Sequence, residues 1–173
     1  MWCRGRVVFR GVLDCQGRRP HPTGAHMAPD ASLTGRVYPP GPAYLVERQQ
    51  VRAFALAVGE RHPACHSPEA ARALGHPDLL APPTFLCVPA HRATDQAVFD
   101  PEAGLDYDRV VHRGQRFVLR RPVFAGDSLL LTVHIDALKS LGGGKVLELR
   151  TEVTTADRTP VGTVYMSLVD RPG

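Results

Sequence analysis

The sequence predicts an α+β fold in which one antiparallel sheet wraps around a single buried helix. Three observations carry this expectation. The longest apolar stretch, residues 79–99, places Leu86, Ala90, Ala93, Ala97 and Val98 at helical spacing. Beyond residue 110 the chain alternates apolar and polar residues with period two, as half-buried strands do. Three turn sequences punctuate that region: Ala125-Gly126-Asp127, Gly142-Gly143-Gly144 and residues 156–159. A helix followed by a meander of strands has one economical solution, with the apolar face of the sheet closed over the helix.

The chain has 173 residues, 43% of them hydrophobic and 22% charged, which suits one soluble domain with a sizeable core. No apolar run approaches the roughly 18–20 residues that cross a bilayer. The net charge of +4 is confined to one end. Residues 1–26 hold five arginines and one acid (Asp14), whereas residues 27–173 hold sixteen side chains of each sign. A neutral domain argues against nucleic acid as its partner. Cys3, Cys15, Cys65 and Cys87 form no C-x-x-C pair, and the histidines show no ligand spacing. No metal site or cofactor is expected, and a reducing cytoplasm is the default compartment.

Residues 1–26 are Arg-rich and lack an apolar signal core, so they read as a disordered extension or as spurious sequence upstream of a start at Met27, with the domain at 27–173. Tyr38-Pro39-Pro40-Gly41-Pro42 predicts an extended lead-in to a first strand at 43–46. A helix follows over 47–58, with Val51, Phe54, Ala55 and Val58 on one face and Gly59 as its stop. Ser67-Pro68-Glu69 opens a short helix with a serine cap, a proline in the first position and an acid in the first turn. In the central helix Pro83 suits a first turn, whereas Pro89 reads as an interior proline that bends the helix near its start. Strands are expected over 110–121, 128–137, 145–153 and 161–169.

Three segments resemble a known family. They are A-V-G-E-R-H-P-A-C-H-S-P-E-A-A-R-A-L-G-H-P-D-L-L-A-P-P-T-F (57–85), L-D-Y-D-R-V-V-H-R-G-Q-R-F (105–117) and R-P-V-F-A-G-D-S-L (121–129). Over about residues 33–171 the chain is similar to the MaoC-like, hot-dog-fold dehydratases. Within these it resembles most the N-terminal, FAS1-like dehydratase type. That type includes the UPF0336 proteins and the channel-forming half of mycobacterial (3R)-hydroxyacyl-ACP dehydratase. The resemblance implies a hot-dog fold and action on an acyl-ACP or acyl-CoA thioester.

Dehydrating a 3-hydroxyacyl thioester needs a group that takes the proton beside the carbonyl and one that protonates the leaving hydroxyl. A carboxylate and a histidine can share that work. Catalytic members of the family carry these in a G-D-x-N-P-x-H signature. It falls here on Gly59-Glu60-Arg61-His62-Pro63-Ala64-Cys65. Gly59 and Pro63 match, Glu60 replaces the Asp, and Cys65 occupies the His position, with His66 one residue late. Two outcomes follow. Either Cys65 fills the catalytic slot and the chain is the non-catalytic, channel-forming member of a pair, or Glu60 and His66 come together as a shifted dyad. The plain structural alternatives are a solvated His66, a surface Glu60 and an inert Cys65. The resemblance also implies that Pro83, Thr84, Phe85, His112 and Gln115 line the acyl path, His112 and Gln115 having as their plain alternative a strand-edge hydrogen bond. A single sheet layer needs a partner, so the expected assembly is a heterodimer with a catalytic MaoC-like chain, or a homodimer. Alternatives in function are a homodimeric acyl-thioester-binding protein without catalysis and an active homodimeric hydratase using Glu60 and His66.

Overall fold

The computed structural model describes residues 33–172. The expectation of an extension at residues 1–26 lies outside them. Strands β1 (Val37–Tyr38) and β2 (Tyr44–Leu45) precede helices α1 (Arg48–Ala57), α2 (Pro68–Ala73) and α3 (Cys87–Val98). Four long strands complete the chain: β3 (Val110–Leu119), β4 (Ser128–Leu141), β5 (Gly144–Thr155) and β6 (Pro160–Asp170). All pairings are antiparallel, in the order β1-β4-β5-β6-β3, with β2 also on β4. The expected sheet around a helix is therefore the observed fold.

The alternation explains the sheet. Leu129, Leu131, Val133 and Ile135 of β4 are buried, and their neighbours across the ladder, Leu149 and Val153 of β5 and Met166 of β6, face the same way. Against them pack Phe85, Leu86, Ala90, Ala97 and Val98 from α3 and the turn before it. Each fully buried aliphatic side chain stabilises the fold by about 1.5–3 kcal/mol, so this inner face holds most of the stability. The outer face is polar. Arg150 bridges Asp136 and Glu152, Ser167 donates to Glu148 (2.9 Å), and the Arg116 guanidinium lies 3.8 Å from the Tyr165 ring centre.

Four expectations need correction. First, the strand expected at 43–46 is the two-residue β2, and a second two-residue strand, β1, forms ahead of it at the start of the expected lead-in; both pair with the same edge of β4, and the donor-poor prolines 39, 40 and 42 lie between them. Second, α3 begins at Cys87, after a turn over 83–86, so Pro89 is its third residue. A first-turn proline loses no intrahelical bond, and the bend expected there has no cause. Pro83 sits in the turn and not in the helix. Third, β3 stops at Leu119, and the chain then turns through Arg120 and Arg121 into Pro122. Fourth, β4 runs on to Leu141, because Gly142 (φ 58°) and Gly143 (φ 82°) form a two-residue hairpin loop that pairs Leu141 with Gly144. A bulge between Ile135 and Ala137 shifts the phase, which buries Leu138 beyond it.

Candidate active site

The segment 59–67 joins α1 to α2, and its conformation is set at both ends. Gly59 (φ 73°) stops α1: its amide donates to Leu56 O (3.2 Å) and that of Glu60 to Ala55 O (2.8 Å). At the other end the Ser67 hydroxyl accepts the Ala70 amide (3.2 Å) and caps α2 as expected. Between them Pro63–Cys65 forms one 3₁₀ turn, and the Leu80 amide donates to Ala64 O (2.9 Å), fixing the turn to the chain that leads into α3.

Within this loop the polar side chains hold backbone. The Glu60 carboxylate accepts the His62 amide (2.8 Å), and His62 Nδ1 accepts the amide of Ala64 (3.3 Å). His66 Nε2 lies 2.8 Å from the main-chain carbonyl of Glu60. A carbonyl only accepts, so Nε2 carries the proton and the free lone pair of the ring is on Nδ1. Arg52 of α1 clamps the segment from below, its Nε donating to His66 O (2.8 Å). Sequence reasoning did not single out Arg52, because its bond reaches fourteen residues along the chain to a carbonyl, which leaves no sequence signal. The structure thus brings Glu60 and His66 together, but the imidazole meets the carbonyl of Glu60 while the carboxylate is used elsewhere.

Cys65 is 2% exposed. Burial, and then the charge of Glu60, push its thiol above the usual range, so it stays protonated at neutral pH. Such a sulfur neither takes a proton from substrate nor attacks it.

The other expected residues lie along α3 and β3. Pro83 and Thr84 are exposed in the turn before α3. Phe85 is buried and meets Phe54 edge-on, with ring centres 5.6 Å apart, so it braces this turn from within. His112 and Gln115 face the same side of β3 as the inner-face residues Leu168 and Met166 of β6, because a bulge between His112 and Gly114 absorbs Arg113. Gln115 Nε2 is a buried donor without a partner among the described residues. His112 stands opposite His91 of α3, ring centres 5.7 Å apart. Partial desolvation, and then His112, lower the pKa of His91, which keeps its ring neutral at pH 7. His91 is the residue sequence reasoning passed over, since its meeting with His112 is a tertiary contact. Among the described residues no hydrogen bond or ion pair joins the 59–67 loop to β3, and no group of three metal-ligating side chains gathers.

The third motif is structural at its centre. Asp127 accepts two bonds from the Arg121 guanidinium (2.8 and 3.0 Å) and one from the Phe124 amide (2.9 Å), which closes the R-P-V-F-A-G-D turn on itself.

An antiparallel sheet packed over one central helix defines a hot-dog domain. The chain belongs to the FAS1-like dehydratase family: the model described as "FAS1-like, dehydratase domain region" matches residues 32–164. It is 50% identical over 145 residues to a UPF0336 protein of Streptomyces griseus, covering 84% of this chain and 97% of that one. Among solved structures it is similar to the C-terminally truncated HadBC (3R-hydroxyacyl-ACP dehydratase) complex of Mycobacterium tuberculosis. That match has 32% identity and a TM-score of 0.70, covering 79% of this chain and 96% of that one. A MaoC-like dehydratase matches with 27% identity and a TM-score of 0.74, covering 82% of this chain and 43% of the other, longer chain. The family expected from the three motifs is the family found. No helix among the described residues is long and apolar enough to cross a membrane.

Proposed function

We propose that this chain is the non-catalytic, acyl-channel subunit of a cytoplasmic (3R)-hydroxyacyl-thioester dehydratase or enoyl hydratase, paired with a MaoC-like chain that supplies the catalytic Asp and His. The observation that carries this reading is the state of the motif loop. Cys65, at the position where the resembled family signature has its histidine, is buried and protonated, while Glu60 and His66 are spent on backbone groups. The similarity to HadBC, itself a complex, supports the pairing. In the pair, the partner's Asp and His break the C2–H and C3–O bonds as the C2=C3 bond forms and water leaves. This chain contributes the walls: Pro83 and Thr84 at the turn before α3, with Phe85 behind them, and His112 and Gln115 on β3, whose unpartnered amide N–H suits a carbonyl acceptor on the substrate.

The test is hydration of crotonyl-CoA, which consumes the enoyl absorbance. The chain alone is expected to be inactive, and active only with a MaoC-like chain carrying an intact Asp/His signature. Glu60→Gln and His66→Ala should leave the paired rate within about threefold, whereas loss of a true general acid or base costs about 10²-fold or more. Activity of the pure chain, abolished by either substitution, would overturn the reading in favour of the shifted dyad.

A further inference from the structure

Two buried charges take no part in the chemistry proposed above. Lys145 is 4% exposed and Asp170 1%. They stand directly opposite each other, at the start of β5 and the end of β6, so both project from the inner face of the sheet. Among the described residues no hydrogen bond joins them. The Lys145 ammonium instead donates to the carbonyls of Ala103 (3.4 Å) and Gly104, and Asp170 Oδ2 accepts the Asp106 amide (3.2 Å). Asp170 Oδ1 is buried without a hydrogen bond, and Arg109 Nε lies 4.0 Å from it.

Both charges therefore hold one segment, residues 103–109, which carries the chain from the end of α3 to the start of β3. Within it only Ala103 is buried. Tyr107 adds an exposed stack on Phe99, ring centres 4.7 Å apart. The segment hangs between two fixed points. On one side Asp100 and Glu102 are tied to Arg36; on the other the ladder begins with Val110 opposite Asp170. A buried charge stripped of its partner is strongly destabilising, which ordinarily locks such a segment in place. Here the two charges are opposite in sign and face each other on adjacent strands. If the segment leaves, the ammonium and the carboxylate can bond to each other, and Asp170 Oδ1 gains the donor it lacks. We propose that residues 103–109 form a releasable strap: closed, it is held by Lys145 and Asp170, and open, those two side chains pair directly across β5 and β6. Opening is then a local event that spares the sheet. The inference does not depend on the reading of this chain as a channel subunit.

Amide hydrogen exchange of the full chain tests this. The amides of Ala103, Gly104 and Asp106, bonded to Asp100 O, Pro101 O and Asp170 Oδ2, report the strap, and those of β4 and β5 report the sheet. Asp170→Asn keeps an oxygen for the Asp106 amide but removes the carboxylate that receives Lys145 when the strap is open. Exchange at the three strap amides is expected to slow at least about threefold, while that of β4 and β5 does not slow. A strap that Asp170 merely ties down would loosen instead. Unchanged or faster exchange at the strap, or equal slowing throughout, overturns the proposal. If Asp170→Asn does not fold, Gly104→Ala serves. A Cβ at that position (φ 55°) falls 2.9 Å from Lys145 Nζ and strains the closed state alone. The strap amides should then exchange at least about threefold faster with β4 and β5 unchanged. No change at the strap, or one common factor across strap and sheet, overturns the proposal.

Discussion

The two edges of the sheet are treated in opposite ways. At the β4 edge the chain covers itself. Gly35 donates to Ile135 O (2.8 Å) and Ile135 to Arg36 O (2.9 Å), β1 and β2 add their short ladders, and the Val46 amide donates to Asp127 O (2.8 Å). A polar knot then ties the lead-in down. Tyr38 donates to Asp100 (2.5 Å), and Arg36 bridges Asp100 (2.8 Å) and Glu102. At the β3 edge nothing equivalent exists among the described residues, and arginines stand where ties would be. Covering one edge with local chain costs ordering entropy, which its buried groups offset. Leaving the other bare keeps ten residues of backbone available to a partner. Among the described residues the sheet is closed at one edge and bare at the other.

The sharpest way to break this comparison is to remove the anchor of the closed edge. Leu33 is fully buried in the cluster around Ile135 and Leu147. Leu33→Ala is expected to cost about 3 kcal/mol, typical of an emptied aliphatic site. That corresponds to a fall in Tm of about 9 °C for a domain of this size. Leu119→Ala on the open edge, where the side chain is already 37% exposed, should cost about 1 kcal/mol or less. Calorimetry of both variants decides. Equal losses would mean that the two edges are not distinct.

A smaller effect separates the polar knot from its surroundings. Tyr38→Phe removes one hydrogen bond and should cost about 1 kcal/mol. The wild-type hydroxyl titrates late: burial, and then the bond to Asp100, push its pKa up from 10.0 to about 12. A raised folded-state pKa stabilises the protonated form. Its contribution is fully present below pH 10 and is lost as pH rises from about 10 to about 12. Alkaline unfolding should therefore steepen in that window in the wild type and not in Tyr38→Phe. Identical profiles would remove Tyr38 from the closure of this edge.

How much of this was legible in the sequence depends on the range of the interaction. The Ser67 cap, the Gly59 stop, the existence of a glycine turn at 142–144 and the alternation of Leu129 to Ile135 are local signals, and they read correctly, although the strands run closer to that turn than expected. Pro89 misled because its meaning depends on where the helix begins, which is set by the turn at 83–86. The additional short strand β1 is dictated by pairing with β4 more than eighty residues away. At the candidate site, the meeting of Glu60 with His66 was one of the two outcomes that the family signature left open. Which atom of Glu60 the ring would face was not, because one 3₁₀ turn decides it. The bareness of β3 has no sequence signal at all, although its run of arginines does.

The smallest expected effect is the most telling, because it asks whether β3 belongs to the monomer at all. Arg116→Gln removes the stack on Tyr165, a contact worth about 0.5–1 kcal/mol at an exposed site, and relieves repulsion from Arg113 and Arg120. The two effects oppose each other. Val118→Thr keeps a β-branched side chain at a position already 38% exposed. Each variant should therefore shift the stability of the unpaired chain by no more than about 0.5 kcal/mol. The measurement is the urea midpoint at constant m-value. A loss above about 2 kcal/mol from either change, well beyond the usual range for surface substitutions, would mean that these side chains hold the monomer together and that the arginine edge is structural. A near-zero shift from both would mean that the exposed side chains of β3 contribute nothing to the stability of the free chain, in contrast to the anchored β4 edge.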